Sequence, residues 1–151
     1  MSLDLSYALS YSLNPMEYAE EFYMLDENDE WYLLTELVIP EGVTSIGDSA
    51  FRSCKKLTGD IIIPEGVKVI EADLFKYCTK LTNVTIPNGV KSIGDSAFGA
   101  CLSLSSLTIP ESVKSMGRDP FYCCSPDVYM RGSTPPDISR GCFRTGPRTF
   151  Y

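Results

Sequence analysis

The chain contains no histidine. That removes the commonest general base and, with it, the Ser-His and Cys-His pairs that activate a nucleophile. Basic residues are also scarce, thirteen Lys and Arg against twenty Asp and Glu, for a net charge of -7. Binding to nucleic acid or to an anionic membrane surface needs clustered cations, so neither is expected. No window approaches the roughly 18 apolar residues of a membrane span. The N-terminus lacks a basic region followed by an apolar run, so the chain reads as soluble, any export signal being removed or never present. No glycine-rich phosphate loop is found either; the Ile-Gly steps recur as turns.

What the sequence does contain is repetition. Ile-Pro pairs place proline at Pro40, Pro64, Pro87 and Pro110, and phenylalanine follows eleven residues after each, at Phe51, Phe75, Phe98 and Phe121. A cysteine stands three residues further on, at Cys54, Cys78, Cys101 and Cys124. All three columns advance by 24, then 23, then 23 residues. An apolar-punctuated period between 20 and 29 residues reads as a leucine-rich-repeat solenoid, whose core is a column with one layer per coil.

Within each coil the pattern Leu-x-x-apolar-x-Ile-Pro makes a short strand. Its inward residues are Leu34, Leu37 and Ile39, then Leu57, Ile61 and Ile63, Leu81, Val84 and Ile86, and Leu104, Leu107 and Ile109. Proline ends each strand by removing a ladder donor, and Gly42, Gly66 and Gly89 are expected to permit the turn after it. Ser112 takes that glycine's place in the fourth coil. The extra residue of the 24-residue step falls between Cys54 and Pro64, predicting a bulge at Gly59-Asp60 in the second strand. A cysteine recurring once per coil behaves as a small apolar residue. Neighbouring coils at about 4.8 Å also exceed the roughly 3.8 Å between Cβ atoms that a disulfide prefers. The expectation is buried free thiols at Cys54, Cys78, Cys101 and Cys124, with Cys123 and Cys142 outside the column.

Residues 1–33 read as an N-terminal capping segment, residues 34–126 as four repeats, and residues 127–151 as a degenerate terminal repeat or C-terminal cap. Apolar residues occupy every odd position from Leu3 to Leu13, a half-buried strand signal. Beyond Asn14-Pro15 two readings stay open. One is a helix over about residues 15–25, capped by Asn14, Pro15 and Glu17; the favoured one is a hairpin whose aromatic strands flank Asp26-Glu-Asn-Asp. Either carries apolar residues with which to cover the open end of the stack. After Cys124 the period degrades: Val128-Tyr-Met-Arg resembles a strand, Thr134-Pro-Pro-Asp-Ile a turn, Cys142-Phe143 a last anchor and Arg148-Thr-Phe-Tyr151 another strand opening.

The stretch Leu81-x-x-Val-x-Ile-Pro-x-x-Val-x-x-Ile-Gly-x-x-Ala-Phe-x-x-Cys101 resembles the repeat of the BspA-like leucine-rich-repeat family, the 23-residue class of bacterial and protist surface antigens. The likeness covers about residues 34–143. It implies a short, curved, right-handed solenoid with a parallel β-sheet on the concave face and irregular or short helical return segments. It also implies extracellular or cell-surface display and adhesion to an extracellular matrix or host surface protein.

Two charge patterns invite a chemical reading, Glu41, Glu65 and Glu111 at one repeat position and Asp48 and Asp95 at another. An acid/base pair or a calcium ladder would use such carboxylates. A solvated face explains them better, because Lys68, Lys91 and Lys114 recur three residues after Glu65, Asn88 and Glu111. No catalytic residue, metal ligand or cofactor is therefore expected. The outward strand positions offer more: Val38, Ile62, Thr85 and Thr108 in one column, and Glu36, Asp60, Asn83 and Ser106 in the other. Val38 and Ile62 beside Glu36 and Asp60 make an apolar pair rimmed by acid, suited to a partner with basic residues. The expected function is a non-catalytic protein-binding module; its rival is a spacer or capping segment of a longer surface protein.

Overall fold

The computed structural model describes residues 34–124, 126–132 and 136–137 in full, and the backbone alone at 2–4, 12–13, 138 and 148–150. Two short strands recur along the chain. They are β1 (Ser2–Asp4) and β2 (Ser12–Leu13), β3 (Glu36–Val38) and β4 (Ser45–Ile46), β5 (Asp60–Ile62) and β6 (Val69–Ile70), β7 (Asn83–Thr85) and β8 (Ser92–Ile93), β9 (Ser106–Ile109) and β10 (Ser115–Met116), β11 (Asp127–Met130) and β12 (Asp137–Ile138), then β13 (Arg148–Phe150). Every pairing is parallel and joins odd to odd or even to even: β1 to β3, β5 to β7, β9 to β11 to β13, β2 to β4, and β6 to β8 to β10 to β12. β3 also lies beside β5, and β7 beside β9, so the odd strands form one face. Only a coil that returns to its start can stack parallel strands this way, which is the geometry of a solenoid.

The apolar columns fill the space between the ladders. Leu34, Leu57 and Leu81 are fully buried, as are Phe51, Phe75 and Phe98, and Phe121 is nearly so. Successive phenylalanine rings stack at 5.7, 6.0 and 6.0 Å between centroids, tilted by only 10° to 15°. Cys54, Cys78, Cys101 and Cys124 are buried free thiols, and Cys123 is exposed. Each later thiol of the column has a defined partner: Cys78 Sγ donates to the Phe51 carbonyl at 3.1 Å, Cys101 to Phe75 at 3.1 Å, and Cys124 to Phe98 at 3.3 Å.

The return segments are turns, not helices, and no helix occurs among the described residues. Two residues per coil hold left-handed backbone, at Ser49, Asp73, Ser96 and Asp119 and again at Ser53, Tyr77, Ala100 and Cys123. Left-handed conformation costs an L-residue about 1–2 kcal/mol and breaks a right-handed helical run. In exchange the backbone N–H groups point along the stack. Ser49, Phe51 and Ser53 donate to the carbonyls of Ala72, Leu74 and Lys76 at 3.0, 3.1 and 2.8 Å, and Asp73, Phe75 and Tyr77 repeat the scheme one coil on. A third hydrogen-bonded ladder thus runs beside the two of strands.

Two expectations change. Gly42, Gly66 and Gly89 do not hold positive φ. What glycine supplies at the second is room: a Cβ on Gly66 would stand 2.7 Å from the Val43 carbonyl oxygen of the coil before, and one on Gly89 would meet the Glu65 carbonyl likewise. The extra residue near Gly59 also lies outside the strand. Gly59, at φ 84°, precedes β5, which begins at Asp60 with unbroken register to β7. At the N-terminus, the continuous strand expected from Leu3 to Leu13 is described only as β1 and β2, each laid on the stack. Residues 5–11, the helix or hairpin expected beyond Asn14-Pro15 as far as residue 33, and the Cys142-Phe143 anchor lie outside the described residues.

Candidate functional site

Alternation along the odd strands sends one residue into the core and its neighbours out. Leu37, Ile61, Val84 and Leu107 are buried, so Glu36 and Val38, Asp60 and Ile62, Asn83 and Thr85, and Ser106 and Thr108 share the opposite face. All eight candidate residues therefore fall on one surface in two columns. Register fixes their neighbours: Asp60 faces Asn83 and Ile62 faces Thr85. Val38 is 55% and Ile62 60% exposed, among the most open large apolar side chains described.

The columns run further than the repeat pattern indicates. In β11, Asp127 pairs with Ser106 and Tyr129 with Thr108, while Val128 and Met130 are buried. Along the outward column Val38, Ile62, Thr85 and Thr108 are therefore followed by Tyr129, 45% exposed, whose backbone pairs in turn with Phe150 of β13. The step from Leu107 to Val128 is 21 residues, not 23, which put Asp127 and Tyr129 out of phase with the other coils. The alternation Val128, Met130 was the signal that could have found them. Beyond it, Arg131 N–H donates to the Ile109 carbonyl at 3.0 Å, setting its side chain at the rim.

Two recesses adjoin this face. One, of about 380 Å³, is lined by Asn83, Thr85, Asn88, Ser106, Thr108 and Arg131. The other, of about 560 Å³, is lined by Asn88, Lys91, Glu111, Ser112, Lys114 and Arg131. Asn88 and Arg131 belong to both, so they meet at the rim.

The carboxylate columns have structural partners or none. Asp95 Oδ1 accepts the Arg118 backbone N–H at 2.6 Å, joining adjacent coils. Lys68 and Lys114 turn their ammonium groups to the backbone carbonyls of Glu65 and Glu111, at 3.2 and 2.8 Å, rather than to carboxylates. Among the described residues no group of three or more His, Cys, Asp or Glu is placed to hold a metal ion. On the return turns, Asp73 takes Arg52 Nη1 at 2.8 Å and Lys76 Nζ at 3.0 Å, and both cations lie over the Tyr77 ring at 5.6 and 5.7 Å. That cluster answers its own charges. Among the described residues no helix is long and apolar enough to cross a membrane.

The parallel ladders, layered core and open sheet face define a leucine-rich-repeat solenoid, with the odd strands as its concave sheet. A family model for the BspA type leucine rich repeat region matches residues 30–146 in six copies, and the chain belongs to that family. Three solved structures are similar. A leucine rich cell surface protein from Faecalibacterium prausnitzii is 31% identical over 71% of this chain, with a TM-score of 0.62. A leucine rich repeat protein of T. pallidum is 31% identical over 64%, TM-score 0.59, and one from Bacteroides ovatus 34% identical over 64%, TM-score 0.56. The chain spans 28%, 46% and 25% of those three chains. No curated protein matches it.

Proposed function

We propose that the chain is a non-catalytic protein-binding module displayed outside the cell, which docks a basic partner, such as an extracellular matrix or host surface protein, on its concave sheet. The observation that carries this reading is the exposed pair Val38 and Ile62, with Glu36 and Asp60 beside them on the same strands. An apolar centre with a charged rim is how protein interfaces are built, the apolar part supplying affinity and the charge supplying rate and register. Cell-surface display is supported by the similar protein of Faecalibacterium prausnitzii, described as a cell surface protein.

The test separates stability from recognition. Val38→Ser with Ile62→Ser should change stability by no more than about 1 kcal/mol, since both side chains already face solvent. Capture of a basic extracellular protein by the immobilised chain should weaken by about 2 kcal/mol, roughly 30-fold. Glu36→Lys with Asp60→Lys should reverse the acceleration of binding at low salt. Capture that ignores every sheet substitution would leave the spacer reading in its place.

A further inference from the structure

Beside the sheet, where the coils turn from the odd strands into the even ones, the charge is of the opposite sign. Lys68, Lys91 and Lys114 stand one above another, with Lys91 N–H on the Lys68 carbonyl at 2.7 Å and Lys114 N–H on the Lys91 carbonyl at 2.8 Å. Like charges stacked on adjacent coils repel, as they do between adjacent strands. Lys68 and Lys114 relieve this by folding back onto the carbonyls of Glu65 and Glu111. Lys91 does not fold back in this way, and among the described residues its ammonium meets no acceptor. Among the described residues the Arg131 guanidinium also meets no acceptor, its backbone alone being engaged. Both line the recess of about 560 Å³, where Lys91, Lys114 and Arg131 oppose one carboxylate, Glu111. Ser112 lines it too, and its Oγ is the buried side-chain atom without a hydrogen-bond partner among the described residues.

On a molecule of net charge -7, a recess with three cations to one anion selects for negative charge held locally. We propose that it seats a carboxylate side chain from an acidic, extended segment of a protein partner. The segment continues past Arg131 into the recess of about 380 Å³, where Asn83, Thr85, Ser106 and Thr108 present hydrogen-bonding groups to a peptide backbone. This deepens the protein-binding reading above and rests on it. A sulfated glycan fits less well. Its evenly spaced charges would run from the cations onto Glu111 and across the sheet onto Asp127 and Asp60.

The probe is a fluorescein-labelled dodecapeptide of Ser and Gly with two adjacent Glu at one end, titrated by anisotropy against the full chain, with a Gln-for-Glu peptide as reference. The Glu peptide should bind at least about tenfold more tightly than the Gln peptide, and Lys91→Glu with Arg131→Glu should erase that difference. Lys80→Glu with Arg118→Glu, the same charge change away from the recess, should alter affinity less than about threefold. Circular dichroism checks that both variants fold, and Lys91→Gln with Arg131→Gln substitutes if the reversal does not. Equal loss in both charge-reversed variants would reduce the effect to net charge and overturn the proposal. So would binding of a heparin-derived oligosaccharide with none of the Glu peptide. If the Glu peptide fails while Val38 and Ile62 still govern capture of a basic partner, this inference falls and the concave-sheet reading stands.

Discussion

Each thiol from Cys78 onward fills buried apolar space and still donates a hydrogen bond to the carbonyl of the coil before, combining the packing of a small apolar side chain with a weak donor. Alanine would remove that bond between coils and leave each carbonyl with only the backbone N–H of the cysteine in its own coil, Cys54, Cys78 or Cys101. Burial pushes the Cys78 and Cys101 thiols well above their ordinary value near 9, and Cys124 to about 12, because an ion there would lose its water. The sign of the pH dependence follows. Above pH 9 the unfolded chain releases these protons while the folded chain keeps them, so the unfolded state binds fewer and stability falls as pH rises. Below that it is fully present. Thermal melts should be insensitive to these thiols up to about pH 8.5, then drop between about pH 9 and 12, each thiol adding a slope of up to roughly 1.4 kcal/mol per pH unit. Tyrosine and lysine also titrate in that window, so the comparison is with Cys78→Ala and Cys101→Ala. Those variants should be less stable at pH 7 and shallower above pH 9. A slope the same as in the parent chain would mean that the thiols carry none of it.

Among the elements, the strands were legible and the return segments were not. Ile-Pro marks where each odd strand stops, and the alternation before it says which side faces in; both hold from β3 through β9. The left-handed residues at Ser49, Asp73, Ser96 and Asp119 left no such mark, because serine and aspartate serve helix caps and turns alike. Sequence alone suggests glycine for its backbone freedom, whereas at Gly66, Gly89, Gly94 and Gly117 it supplies close contact between coils. Gly94 shows this best: its N–H donates to the Ile70 carbonyl at 2.7 Å, and an added Cβ would lie 2.6 Å from Ala72 N and 2.8 Å from Glu71 C. Those are backbone atoms of the neighbouring coil, held in two ladders at once, and they have no rotamer with which to yield. Gly94→Ala should therefore cost about 1–3 kcal/mol in chemical denaturation. Gly42→Ala, where a Cβ meets nothing within 4 Å, should cost much less. Equal costs at the two positions would return the explanation to backbone entropy.

At the scale of the whole molecule, a stack of layers is closed only where something covers its ends. The eight outward residues of the site were legible because strand alternation alone sets them; the fifth strand was legible too, as Val128-Tyr-Met-Arg, but its 21-residue step hid that Asp127 and Tyr129 carry on the outward columns. The basic recess was hidden with it, since Arg131 reaches Lys91 and Lys114 only once β11 is laid beside β9. At the other end the first layer, Leu34, Leu37 and Ile39, is 0%, 6% and 8% exposed. On that side β1 pairs with β3 and β2 with β4, so residues 1–33 contribute backbone to both ladders. Removing them would bare three large side chains, each worth about 1.5–3 kcal/mol when buried, and would leave β3 and β4 as open edges. Coupling between nearest neighbours carries that loss inward, because a layer with one face wet holds the next less firmly. A chain beginning at residue 34 should therefore aggregate or melt well below the full chain, and light scattering with thermal denaturation would decide it. A soluble monomer with the full chain's melting temperature would show that the first layer is covered in some other way.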